Sequence, residues 1–210
     1  MFEIQRSAAL STRRRARITV ALLAALPLLA GAPAAAHEDD PVTSSACVEV
    51  TCGDRCQEAV STARRATAAY QRENRALADG FFATPVCVAV PGAGAMGVHY
   101  VNPDRMADLD VDARKPEILV YGLNADGGRF LVALEYFAPV LSNGQPWRGG
   151  PGEPPPVVDN PPPVLFGRTF DGPLPGQGPG MPWNYSLHVW AWKHNPSGLF
   201  APFNPRLSCP

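Results

Sequence analysis

The chain has 210 residues, a formal net charge of −1, 46% hydrophobic residues and 18% charged residues. That balance permits a packed core in one domain or two small ones and excludes wholesale disorder. Its 24 prolines and 19 glycines show no Gly-X-Y period, which excludes collagen, and the near-neutral charge argues against a nucleic-acid binder, which needs a basic face.

Residues 1–36 read as a secretory signal peptide. Arg13, Arg14, Arg15 and Arg17 form a positive cluster, Ile18 to Ala30 is almost wholly apolar, and Ala34-Ala35-Ala36 offers a cleavage site after Ala36. The apolar run is too short to span a bilayer, which takes about 20 residues, and Pro27 interrupts it. No cysteine follows the site directly, which disfavours a lipid anchor, and the Arg13-Arg14 pair is a weak twin-arginine signal. Cleavage removes five arginines and one glutamate, leaving 13 basic and 18 acidic residues, a net of −5. The expected protein is therefore secreted or extracytoplasmic, with no membrane span in the mature chain and no nucleic-acid partner.

All five cysteines (Cys47, Cys52, Cys56, Cys87 and Cys209) lie in the mature chain, where an oxidising compartment favours disulfides. An odd number leaves at least one free or paired between chains. A Cys87–Cys209 bridge would tie the end of the chain to the first strand. Any two of Cys47, Cys52 and Cys56 have the proximity to pair. Their spacing is not the paired C-x2-C of a zinc site.

Residues 37–53 form a short acidic leader, and 54–210 a single globular domain. Asp54 is the expected N-cap, with Gln57 completing a capping-box pattern. Arg55 to Asp79 holds no proline or glycine, and Val60, Ala63, Ala66, Tyr70 and Leu77 mark an apolar stripe. One long helix is predicted there, closed by Gly80. Strands are predicted over Thr84 to Val90, Met96 to Val101, Glu117 to Leu123 and Arg129 to Pro139, with a helical turn over Pro103 to Leu109. The glycine-containing loop from Asn124 to Gly128 makes the last two strands a hairpin.

From Ser142 to Pro182 the pattern is loop, with Val164 to Phe170 returning to the core. Twelve prolines fall between Pro146 and Pro182, and the Pro-Pro-Pro runs at Pro154 and Pro161 favour extended polyproline geometry. The Pro-rich part, 143–163, reads as a stiff surface loop. The segment 183–194 fits either a helix or a strand. Pro182 at its start and Asn195-Pro196 at its end favour the helix. The expected fold class is α+β: a long N-terminal helix and a Trp-rich C-terminal helix packed on a small antiparallel sheet.

Several segments resemble a family of exported bacterial proteins of unknown function. They are A-M-G-V-H-Y-V-N-P from Ala95, P-E-I-L-V-Y from Pro116, L-E-Y from Leu134, L-H-V-W-A-W-K-H-N-P-S-G-L-F from Leu187, and the closing N-P-R-L-S-C. The resemblance spans about Tyr70 to Cys209, and the histidine-tryptophan segment is its most specific part. It implies a shared fold and transfers no mechanism.

Glu135 is the leading candidate for chemistry. Strict alternation places it with Leu131, Ala133 and Phe137, and places Phe130, Val132, Leu134 and Tyr136 on the other face. Both faces are apolar, so Glu135 is expected to be buried, and a buried carboxylate must be paired, protonated or metal-bound. His99, His188 and His194 join it as a candidate polar or metal site, since imidazoles and a carboxylate suit zinc, iron or manganese. No H-E-x-x-H motif is present. His188 and His194 are six apart, on different faces of a helix but on one face of a strand. Tyr100, Tyr136, Trp190 and Trp192 are the candidate aromatic cleft, with core packing as their commoner role. Asp108, Asp110 and Asp112 mimic an EF-hand opening, but Ala113 and Leu119 break the pattern. A G-x-S-x-G elbow and a P-loop are absent, and Gly92-Ala93-Gly94 precedes a strand rather than following one. The reading that asks least is a non-enzymatic protein binding a small molecule or an envelope partner. Its alternative is a metal-dependent hydrolase using the His/Glu site and a divalent metal.

Overall fold

The structure is a computed structural model that describes residues 52–178 and 180–209. The predicted signal peptide, most of the leader and Cys47 lie outside the described residues. The described chain is mostly β, which overturns the α+β expectation. Six strands form one antiparallel sheet, curled into a half-barrel. They are β1 (Phe82–Val90), β2 (Gly94–Val101), β3 (Ile118–Leu123), β4 (Arg129–Pro139), β9 (Asp171–Leu174) and β10 (Asn184–Val189), in the order β1-β2-β3-β4-β10-β9. Two small hairpins, β5 (Leu141–Ser142) with β6 (Gln145–Pro146) and β7 (Val164–Leu165) with β8 (Arg168–Thr169), lie in the loop between β4 and β9.

The long N-terminal helix is not present. The chain instead forms α1 (Asp54–Thr67), a 3-10 turn (Ala68–Gln71) and a short α2 (Glu73–Ala78). Side chains distant in sequence account for the break. Thr67 turns its hydroxyl back to the Ala63 carbonyl, 2.8 Å, and also accepts from the Trp192 indole, 3.1 Å. The Tyr121 hydroxyl donates to the Tyr70 carbonyl at 2.5 Å, taking the acceptor that a continued helix needs. Arg72 then becomes extended. The start is also one residue off: Gly53 is the N-cap, and the Gln57 amide donates to the Cys52 carbonyl, 2.9 Å. A Cys52–Cys56 disulfide braces this first turn.

The Trp-rich helix is a strand. Over Asn184–Val189, β10 pairs residue for residue with β4, from Asn184 opposite Pro139 to Val189 opposite Leu134. Aromatic and branched side chains suit a pleated surface, and β4 offers a long central edge that only a strand can satisfy. Period-two alternation sends Tyr185, Leu187 and Val189 to one face and Ser186 and His188 to the other.

The two faces of the sheet differ. On one, Val60, Ala63, Tyr70, Ala76 and Phe81 pack on Tyr100, Leu119, Tyr121, Leu134, Tyr136 and Leu187. On the other, the C-terminal tail covers half: Leu207 packs with Ala95, Val120, Val132, Ala133 and Trp190. Gly94 (φ +95°) permits that close approach, because a Cβ there would lie 2.1 Å from the Asn204 carbonyl oxygen. Asn204 and Ala95 exchange two backbone hydrogen bonds, 3.0 and 3.2 Å, and Cys87 is bonded to Cys209. Among the described residues no helix is long and apolar enough to cross a membrane.

The Pro-rich loop is pinned at several points. Asn160 accepts from the Leu141 amide, 2.8 Å, and donates to the Pro139 carbonyl, 3.0 Å. Trp147 donates to the Glu153 carbonyl, and Tyr185 to the Asn160 carbonyl. Each bond removes freedom that proline has already reduced.

Candidate functional site

The uncovered half of the second face holds the site. Strand register places His99 (β2), Ile118 (β3), Glu135 (β4) and His188 (β10) on the same side of the sheet. His188 faces Glu135 directly as a cross-strand pair, and His99 reaches over β3 from the other side. His99 Nε2 lies 3.3 Å and His188 Nε2 3.5 Å from the same carboxylate oxygen, Glu135 Oε2. The two imidazoles meet edge to face, with centroids 5.9 Å apart. One ligand atom from each residue lies within 4.8 Å of the other two.

A β-bulge aligns this face. Register shifts between Val120 and Tyr121, so that Ala133 opposes Val120 while Leu131 opposes Tyr121. Val132 is the extra residue, and it joins Ala133 in the cluster under the tail. Strict alternation is therefore wrong below Ala133: Phe130 and Val132 lie on the Glu135 side, and Leu131 packs on the helix side.

Glu135 is 9% exposed and His188 8%. Burial alone would raise the Glu135 pKa. The facing His188 and His99 imidazoles and the Ser186 hydroxyl outweigh burial and hold the carboxyl well below its ordinary range. His188 moves the other way from a cation: burial lowers its pKa against the opposing charges of Glu135 and Asp171. The downward shift of His188 favours its neutral form, the form that can ligate a metal. His188 Nε2 is buried and has no hydrogen-bond partner among the described residues.

The site opens into a groove of about 890 Å³. His99 and Glu135 lie on its floor, with Val101, Ile118 and Phe137 around them. Phe82, Val86 and Leu109 flank the mouth, where each is more than half exposed. Among the described residues the other ionisable group in the lining is Arg148.

His194 does not join this cluster. It is exposed, and its carbonyl accepts from Asn204, 3.1 Å. The four aromatics do not form a cleft over the site, and none lines the groove. Tyr100 is fully buried, bonded to Glu73 and Arg129 and packed on Tyr121 at 4.5 Å. Tyr136 donates to the Ala113 carbonyl, 2.8 Å. Trp190 donates to the Ala201 carbonyl under the tail, and Trp192 to Thr67 on the helix side. Met106, Leu109 and Met181 in the groove wall were not legible in the sequence, because they come from loops and a short helix that no periodicity links to β4. Phe137 carried a signal, two residues after Glu135 on the same face.

Comparison with family models, with curated proteins and with solved structures found no match.

Proposed function

We propose that this chain is an exported protein that holds one divalent transition-metal ion between His99, Glu135 and His188 and presents it to a small ligand in the apolar groove. The carrying observation is the convergence of the three ligand atoms around a buried imidazole nitrogen that has no other partner among the described residues. A tetrahedral ion with bonds of about 2.0–2.1 Å spaces its ligands roughly 3.4 Å apart. The distances of 3.3 and 3.5 Å from Glu135 to the two histidines fit that spacing. Zinc suits such geometry, and two histidines with one carboxylate also suit iron. Export is supported by the signal-peptide pattern of residues 1–36, by two disulfides and by the resemblance of the Leu187 segment to exported proteins.

Metal-dependent hydrolysis is the second reading. Three protein ligands leave a position for water or substrate, which is the arrangement of catalytic rather than structural zinc. Among the described residues the groove lining offers no further carboxylate or imidazole, so an ion held by His99, Glu135 and His188 would have to activate water without a separate base.

The test is native mass spectrometry and calorimetric titration of chelator-treated protein with zinc, manganese and ferrous iron. One ion per chain is expected, with affinity lowered at least tenfold in both Glu135→Gln and His188→Ala. No binding of any of the three ions to the wild-type protein overturns the proposal.

A further inference from the structure

We infer that the groove takes an apolar monocarboxylate of fatty-acid type, with its carboxylate on the metal held by His99, Glu135 and His188 and its hydrocarbon along the groove wall. This inference rests on the metal reading above.

The first support is charge. A divalent ion with one carboxylate and two neutral imidazoles keeps a net charge of +1 at a site whose protein ligands are largely buried. An unbalanced charge there is costly, and a single anionic donor cancels it. A neutral head leaves it standing, and a cationic head adds to it.

The second support is the wall. Val101, Met106, Ile118, Phe137, Pro139 and Met181 give the groove apolar sides. Beyond the floor, the one other charged residue among the described residues of the lining is Arg148, whose guanidinium donates to the Gly180 carbonyl. A ligand carrying a cationic group along its length would find Arg148 as the nearest charge and meet hydrocarbon elsewhere. At about 890 Å³ the groove lies in the size range of small-molecule sites.

The third support is the mouth. Phe82, Val86 and Leu109 are 52%, 58% and 57% exposed and stand together at the opening. An alkyl chain longer than the groove emerges against them instead of into water.

The test uses purified protein with and without zinc, and three probes that share one chain: decanoate, decan-1-ol and decyltrimethylammonium. Binding is read by displacement of an apolar fluorescent dye and by calorimetry. On the zinc-loaded wild type, decanoate is expected to bind at least tenfold more tightly than decanol, and the cationic probe most weakly. Glu135→Gln, which loses zinc, is expected to lose the preference for decanoate while still binding decanol. Val101→Phe, which fills the groove, is expected to weaken decanoate at least tenfold while still taking one zinc per chain. If circular dichroism shows that variant unfolded, Phe82→Glu at the mouth replaces it with the same expectation.

Zinc bound but decanoate no tighter than decanol overturns this inference and leaves the metal reading intact. No zinc bound by the wild type overturns both. A preference for decanoate that survives Glu135→Gln and vanishes in Arg148→Ala places the head at the mouth, which also overturns the inference.

Discussion

Replacing Glu117 with glutamine should change how stability depends on pH. Glu117 is 1% exposed, and its carboxylate accepts from the Phe137 amide at 2.9 Å. Burial is the largest influence and pushes its pKa up to about 8, against the Phe137 bond and the charge of Arg105, while Asp108 adds to the rise. Arg105 is committed elsewhere, to the Pro116 carbonyl and the Tyr70 hydroxyl, with its guanidinium over the Phe81 ring. The unfolded chain ionises this glutamate near 4.5. A folded pKa above the unfolded one means that unfolding releases a proton, so stability is fully present below about pH 4.5 and falls as pH rises towards 8. Each pH unit in that window weighs about 1.4 kcal/mol. The ideal loss between about pH 5 and pH 8 is on the order of 4 kcal/mol, and water entry on ionisation reduces it to roughly 2–4 kcal/mol.

Glutamine keeps an acceptor for Phe137 and does not ionise. Urea unfolding at pH 5, 6, 7 and 8 is the assay. The two proteins should agree within about 1 kcal/mol at pH 5, and Glu117→Gln should be the more stable by roughly 2–4 kcal/mol at pH 8. Glu135 and His188 titrate in both proteins and cancel in the difference. A difference that stays constant within about 0.5 kcal/mol across the range refutes the assignment of a protonated, buried Glu117.

Removing the Cys87–Cys209 bridge by a double serine substitution opens a loop of 122 residues. The chain-entropy model gives a loss of about 5 kcal/mol, read as a drop in Tm of roughly 10–20 °C; a loss below about 1 kcal/mol contradicts it. Gly94→Ala places a Cβ against the Asn204 carbonyl at a positive φ. It should cost roughly 2–4 kcal/mol and speed amide exchange at Asn204 and Leu207, whereas unchanged exchange there would show that the tail does not depend on this approach. Zinc affinity should fall as pH drops, because protons compete with the ion for the ligand atoms. Calorimetry at pH 5.5 and 7.5 checks this, and equal affinities would remove the histidines from the ligand set.

The sequence by itself determined the local elements. Branched and aromatic runs between turn residues marked β2, β3 and β4, and the glycine-containing loop between Leu123 and Arg129 marked their hairpin. Burial of Glu135 followed from apolar residues on both sides of it. Each of these rests on interactions between near neighbours, which local pattern records. Only the tertiary structure decided the rest. The Tyr121 hydroxyl, 51 residues away, bonds the Tyr70 carbonyl within the 3-10 turn that interrupts the helix. Pairing with β4 makes 184–189 a strand despite helical end signals. One extra residue, Val132, sets which side chains share a face with Glu135. Register across three strand pairs brings His99 and His188 to one carboxylate oxygen and leaves His194 outside. Residues 36 and 53 positions from Glu135 carry no shared periodicity with it. Their meeting depends on which strands pair and where the tail stops covering the sheet.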